Sequence, residues 1–299
     1  MNIVFQKIKA WILPFAMLLG AFLNDFFRHF AEFIPYLLFS MLFITYCKIS
    51  IRDLKFTKLH LYLLLVQTFG CLAVYGVLVC FDPMVAAACL ICVLAPTATG
   101  GAVITGMLGG NVGCLAAYTL LSSFVVALVS PFIFAFLGGN TDLSFWESVF
   151  YICKQVSVVL VVPCLSAFLL EKTVPSVHRQ LKKMQALAFY LSVIGLVLIT
   201  AKTVYFIDQH EINDFKQELW MVTLALVICI LQFVIGRSIG RRYGETISGG
   251  QALGQKNTIL AIWMTQMYLS PIISIAPASY VVWQNMINSY QLWKKERQR

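Results

Sequence analysis

Apolar stretches of roughly twenty residues follow one another along almost the entire chain, at about 10–28, 33–49, 59–80, 84–108, 112–138, 146–170, 184–204, 218–240, 246–269 and 271–292. Each is long enough to cross a hydrocarbon layer about 30 Å thick. Lipid offers backbone amides no hydrogen bonds, so such stretches are viable only as helices or as a closed barrel, and runs of this length read as helices. With 60% of its 299 residues hydrophobic and only 12% charged, the chain cannot form a water-soluble globule, and the loops between the runs leave no room for a soluble domain. The expected fold is an all-α membrane protein of ten transmembrane helices.

Charge placement tests that count, because Lys and Arg collect in cytoplasmic loops. The net charge of +9 fits contact with anionic lipid and needs no nucleic-acid partner. The basic segments are Lys7 and Lys9, then Lys48, Arg52, Lys55 and Lys58, then Lys172, Arg179, Lys182 and Lys183, then Arg237, Arg241 and Arg242, and finally Lys294, Lys295, Arg297 and Arg299. With ten spans all five fall on one side, while loops carrying Asp25, Asp82, Asp142, Glu147 and Asp208 fall on the other. Both termini are therefore expected in the cytoplasm. The apolar run after Lys9 is expected to be a first span, since no small-x-small cleavage site follows it. Nine cysteines lacking metal-site spacings read as small buried hydrophobes.

Five spans per half, in residues 1–142 and 143–299, give the halves opposite orientations, the arrangement of inverted-repeat secondary transporters. The fourth and ninth spans then correspond, and both are unusual. The fourth carries Pro96-Thr97-Ala98-Thr99-Gly100-Gly101, followed by Gly106, Gly109 and Gly110; the ninth carries Gly249-Gly250-Gln251-Ala252-Leu253-Gly254-Gln255-Lys256-Asn257-Thr258. Pro96, Gly100, Gly101, Gly250 and Gly254 are the expected helix breaks. Broken helices survive in lipid only where they line a cavity or meet another polar segment, and two matching breaks can satisfy each other. The competing reading of the glycines is close helix packing.

Charge is nearly absent from these regions: none between Asp82 and Asp142, and between Glu245 and Lys294 only Lys256. A charged side chain that deep in a span is a functional hypothesis by default. Lys202 is expected to snorkel, and Lys154, shallower in its span, fits either snorkelling or a functional role. Ser122, Ser123 and Ser130 are expected to bond carbonyls of their own helix, the four histidines receive no chemistry, and Trp146, Trp220 and Trp293 fit an interfacial belt. Pro163, Pro271 and Pro277 are expected to kink or begin helices.

Three segments resemble the bile acid:sodium symporter family: Pro96 to Val112 (PTATGGAVITGMLGGNV) its fourth-span crossing segment, Leu253 to Ala261 (LGQKNTILA) its ninth, and Ser270-Pro271 with Trp283-Gln284-Asn285 its tenth. The resemblance implies a core of spans 3–5 and 8–10 moving against a panel of spans 1–2 and 6–7, carrying an organic anion with sodium by alternating access. It puts Thr97, Thr99, Asn257 and Asn285 in the substrate site. Gln67 and Thr119 match sodium-site positions. The other expected sodium ligands are replaced by Gly101, Ala102 and Leu115, and the family's carboxylate falls on Ala252 or, with a one-residue shift, on Gln251.

Two intact sodium sites are therefore not expected, and no metal ligand set or cofactor is assigned. Lys256 stands where the family has glutamine. Its ammonium is read as a fixed or proton-exchanging substitute for sodium, with Gln251 and Gln255 in the same ion or coupling group; direct pairing with a substrate carboxylate is the competing role. The spans hold no paired acids, histidine cluster or base-activated nucleophile, so an enzyme is not expected. The reading is a secondary transporter of a bile-acid-like or smaller carboxylate in a bacterial inner membrane, as a monomer or weak homo-oligomer. A proton-linked exporter or facilitator and a non-transporting sensor are the alternatives.

Overall fold

The computed structural model describes residues 3–49, 55–98, 100–138, 144–209 and 215–297. In chain order the helices are α1 (Ile3–Phe22), α2 (Asn24–Phe27), a 3-10 turn (Arg28–Phe33), α3 (Ile34–Tyr46), α4 (Lys58–Leu78), α5 (Pro83–Leu94), α6 (Gly101–Leu108) and α7 (Val112–Gly138). There follow α8 (Phe145–Thr173), α9 (Pro175–Lys183), α10 (Gln185–Gln209), α11 (Phe215–Arg241), α12 (Thr246–Gly254), α13 (Thr258–Tyr268), a second 3-10 turn (Pro271–Ser274) and α14 (Ile275–Arg297). Among the described residues, six helical segments are long and apolar enough to cross a membrane: Asn24–Tyr46, Lys58–Leu78, Val112–Gly138, Phe145–Thr173, Ala186–Asp208 and Phe215–Arg241.

The ten apolar runs thus meet six continuous crossings, and the fourth and ninth runs show one physical reason. Each is two short helices, α5 with α6 and α12 with α13, of 12, 8, 9 and 11 residues. At 1.5 Å per residue no half reaches more than about 18 Å. The sequence also left one helix unforeseen: α9 occupies what reads as a basic loop, and it buries His178.

Local chemistry explains where the broken helices start and stop. Asp82 caps α5, its Oδ1 accepting from the amides of Met84 and Val85 at 2.8 and 3.0 Å, and Pro83 takes the first helical position, where no N–H is needed. At the end of α6, Gly109 adopts φ +80°, and the Gly110 amide donates to the Thr105 carbonyl at 2.8 Å, a left-handed cap that glycine enters at little cost.

One of the expected breaks lies elsewhere. Gly250 sits inside α12 and Gly254 closes it, so α12 runs unbroken through its glycines and the interruption falls on Gln255–Asn257. These glycines serve close packing instead. A Cβ on Gly249 would stand 2.4 Å from the Gly236 carbonyl oxygen, one on Gly250 2.5 Å from Arg237 Cγ, and one on Gly254 2.4 Å from the Phe233 ring. Gly236 and Gly240 on α11 answer them, so α11 and α12 touch backbone to backbone, as small residues allow in membrane helices.

Gly249→Leu is expected to cost at least about 1–3 kcal/mol through overpacking, seen as a lower melting temperature of the purified protein in detergent. Gly76→Ala, where a Cβ meets nothing within 4 Å, should leave the melting temperature unchanged or raise it.

A candidate site where two broken helices meet

An α-helix ends with carbonyls that have no intrahelical partner, and together they carry about half a negative charge. In α5 those carbonyls are buried, so each needs a donor from elsewhere. The Ile91 carbonyl still has a helical partner, the Ala95 amide at 3.0 Å, and the three that follow do not. The Cys92 carbonyl accepts from Gln232 Nε2 at 3.2 Å. The Val93 carbonyl accepts from Lys256 Nζ at 2.8 Å. The Leu94 carbonyl accepts from Gln67 Nε2 at 2.8 Å, and the same nitrogen reaches the Ala95 carbonyl at 3.1 Å. The amine of Lys256 and two side-chain amides thereby close the helix end.

The two interruptions pair like short antiparallel strands, with Thr97 bridged to Lys256. The Asn257 amide donates to the Pro96 carbonyl at 2.8 Å, and the Ala98 amide to the Gln255 carbonyl at 2.9 Å. Around this pairing the contacts repeat in duplicate. The Thr97 hydroxyl donates to the Ala252 carbonyl at 2.6 Å, one turn before Lys256; Lys256 Nζ reaches Val93, one turn before Thr97. The Thr97 amide donates to Ser122 Oγ on α7 at 3.2 Å, and the Lys256 amide to Gln284 Oε1 on α14 at 2.8 Å. Gln67 accepts from the Tyr118 hydroxyl at 2.7 Å, while Gln232 Nε2 donates to the Tyr280 hydroxyl at 3.0 Å. Tyr280 in turn donates to the Gly254 carbonyl at 3.0 Å, at the end of α12.

Lys256 is only 1% exposed. Its electrostatic neighbours are the thiols of Cys71, Cys92 and Cys229, and among the described residues no carboxylate lies within ion-pair distance of it. Its amine therefore faces a helix-end carbonyl rather than an acid. Six cysteines are buried, as expected of small hydrophobes, whereas Cys80 and Cys153 are exposed.

The other expected site residues divide by what holds them. Pro96 lies in the first interruption, Gly100 at its end, and Gly101 opens α6 where a Cβ would stand 3.2 Å from Gln255 Cγ. Thr97 spends its hydroxyl on Ala252, and Gln67 both ends of its amide on carbonyls and Tyr118. Asn257 caps α13, accepting from the Leu260 amide at 3.3 Å. Gln251 donates to Asn288 Oδ1 at 2.9 Å, and Gln255 accepts from Asn288 Nδ2. Thr119 and Asn285 turn back onto their own helices, donating to Leu115 and Val281. Thr99 lies outside the described residues.

Gln232, Tyr118, Tyr280 and Asn288 carry no site expectation from the sequence, and Gln284 and Ser122 carry only a motif position and an intrahelical bond. One signal was available: Gln284, Asn288 and Gln291 recur at helical spacing on α14, a polar stripe in an apolar region. Ser122 and Ser123 do donate to the Thr119 carbonyl as expected, but Ser122 also accepts from the Thr97 amide in the first interruption. His60, given no chemistry, is buried and joins α4 to α7 through the Cys114 carbonyl at 3.0 Å.

The profile of the sodium bile acid symporter family matches residues 35–210, more than half the chain. The chain belongs to that family. It is accordingly a multi-pass membrane protein of a transporter family, which is consistent with its not being an enzyme. The match covers the first interruption and ends before α11, so the second interruption and Lys256 lie beyond it. A comparison with curated proteins finds no match.

Gln284→Leu leaves the Lys256 amide and carbonyl without their partner, an expected loss of about 1–3 kcal/mol. Asn285→Leu removes only a contact within α14 and should cost less; thermal unfolding of the two variants in the same detergent ranks them.

Proposed function

We propose that the protein is a secondary active transporter that moves a small organic anion by alternating access, with Lys256 standing in place of a sodium ion. The family of sodium bile acid symporters supports transport of an organic anion. The observation that carries the lysine reading is the Lys256 ammonium at 2.8 Å from the Val93 carbonyl, buried at the end of a broken helix. A hard cation in such a place needs several oxygen ligands. The carbonyls that could supply them already accept from Lys256, Gln67 and Gln232. A covalently tethered charge neutralises the helix end at every stage of a transport cycle, so no ion has to be bound or released there.

The finer architecture belongs to the same proposal. Ten crossings in two inverted five-helix repeats, residues 1–142 and 143–299, are supported by the duplicated contacts of Thr97 with Lys256, Ser122 with Gln284, and Gln67 with Gln232. Helices α4–α7 and α11–α14 make up the moving core, and α1–α3 with α8 and α10 the panel. Both termini are cytoplasmic, in a bacterial inner membrane. Thr99, Asn257 and Asn285 contact the substrate, a bile acid or a smaller carboxylate, and the positive N-terminal ends of α6 and α13 favour its negative charge.

Counterflow of labelled carboxylates from cholate to pyruvate, in proteoliposomes with sodium or potassium outside, tests the reading. At least one carboxylate should exchange at equal rates in the two salts, and Lys256→Gln should abolish that exchange or make it depend on sodium. Sodium-dependent exchange by the unaltered protein, or unchanged exchange by Lys256→Gln, overturns the role given to the lysine. A proton-linked exporter is the second reading, favoured by an ammonium that has no carboxylate partner among the described residues; exchange driven by a pH gradient and lost in Lys256→Gln distinguishes it from a fixed charge.

A further inference from the structure

We propose that the seam between α4 and α11 is a binding site for an anionic phospholipid, with one acyl chain lying along the helices and the phosphate held at Arg242. Between the two helices lies a groove of about 600 Å³, lined among others by Tyr62, Phe69 and Ala73 of α4, by Ile239 of α11 and by Arg242 and Tyr243 in the turn that follows it. From Tyr62 to Ala73 the groove follows α4 for ~16 Å at 1.5 Å per residue. That is half of a hydrocarbon core about 30 Å thick, the depth of one leaflet. At Ala73 it continues into a second groove of about 290 Å³, whose lining, including Val77, Leu78, Leu224 and Ile228, is wholly apolar.

Charge marks only one end of the seam. Arg242 is exposed beside Arg241 and, among the described residues, has no carboxylate within ion-pair distance. The turn that carries it is fixed by Gly244 at φ +72° and by the Glu245 amide donating to the Gly240 carbonyl at 2.8 Å. Tyr62 and Tyr243 stand at the same end with ring centroids 6.1 Å apart, and aromatic rings of this kind settle at headgroup level. A guanidinium beside phenols at the mouth and a leaflet-deep apolar channel below it match a phosphate on a hydrocarbon chain.

A transported anion is the wrong occupant, because no residue of either helix interruption lines the groove. Its flank is open to the bilayer, with Phe69 63% exposed. The proposal requires only that the protein sits in a bilayer, so it stands or falls separately from the transport reading.

The test uses the full chain in nanodiscs of equimolar phosphatidylglycerol and phosphatidylcholine, followed by native mass spectrometry of the lipids that stay bound. Phosphatidylglycerol should be retained over phosphatidylcholine roughly fivefold, the gain from one interfacial arginine. Arg242→Gln should remove that preference, Ala73→Phe should lower retention of both lipids by filling the channel, and Lys294→Gln on the tail should change neither. Equal retention of the two lipids by the unaltered protein, or a preference that survives Arg242→Gln, overturns the proposal. If Arg242→Gln does not fold, Ala73→Phe decides alone, since unchanged retention there shows that the groove holds no chain.

Discussion

The structure depends on how the exposed end of a broken helix is satisfied inside a protein that offers it no water. At the end of α5 each orphan carbonyl has found a donor, and the central one is the ammonium of Lys256. Much of the surrounding molecule can be read as what is needed to bring that donor there. The second interruption must pair with the first to place Lys256 opposite Thr97, and α14 must present Gln284 to hold the backbone of Lys256 itself. The glycines of α11 and α12 must let two backbones touch so that α12 ends at the right depth.

A buried charge is expensive, and the loss of either partner in such an arrangement leaves the other stranded. That is why the duplication of contacts matters. On one side of the crossing a threonine hydroxyl closes a helix end; on the corresponding position of the other side a lysine does so. A hydroxyl and an ammonium both donate, but only the ammonium carries charge. The site is alike in hydrogen bonding and unlike in electrostatics, and the asymmetry is concentrated in one side chain.

Much of the architecture was legible in the residues. The apolar runs gave the long helices closely, and α7 begins and ends where its run does, at Val112 and Gly138. Proline and polar residues in two corresponding runs marked the places where the helix fails. The glycine signal was ambiguous for a physical reason: glycine weakens a helix and also permits close approach, and only the neighbour decides which matters. At Gly249 and Gly250 the neighbour is another backbone or a packed side chain, so the helix continues. Helix α9 was missed because its basic residues read as a loop, although Leu181 and His178 turn toward the bundle.

The sequence by itself determined that the chain lives in a membrane, where its helices run, and that one lysine lies where charge is costly. These follow from local hydrophobicity and length, which act residue by residue. The tertiary structure decided what the lysine does and which amides share its task, because carbonyl acceptors are common to every residue and carry no signature in the sequence. Val93 offers the same carbonyl as any other valine; it becomes a partner for Lys256 only because α5 ends beside the second interruption.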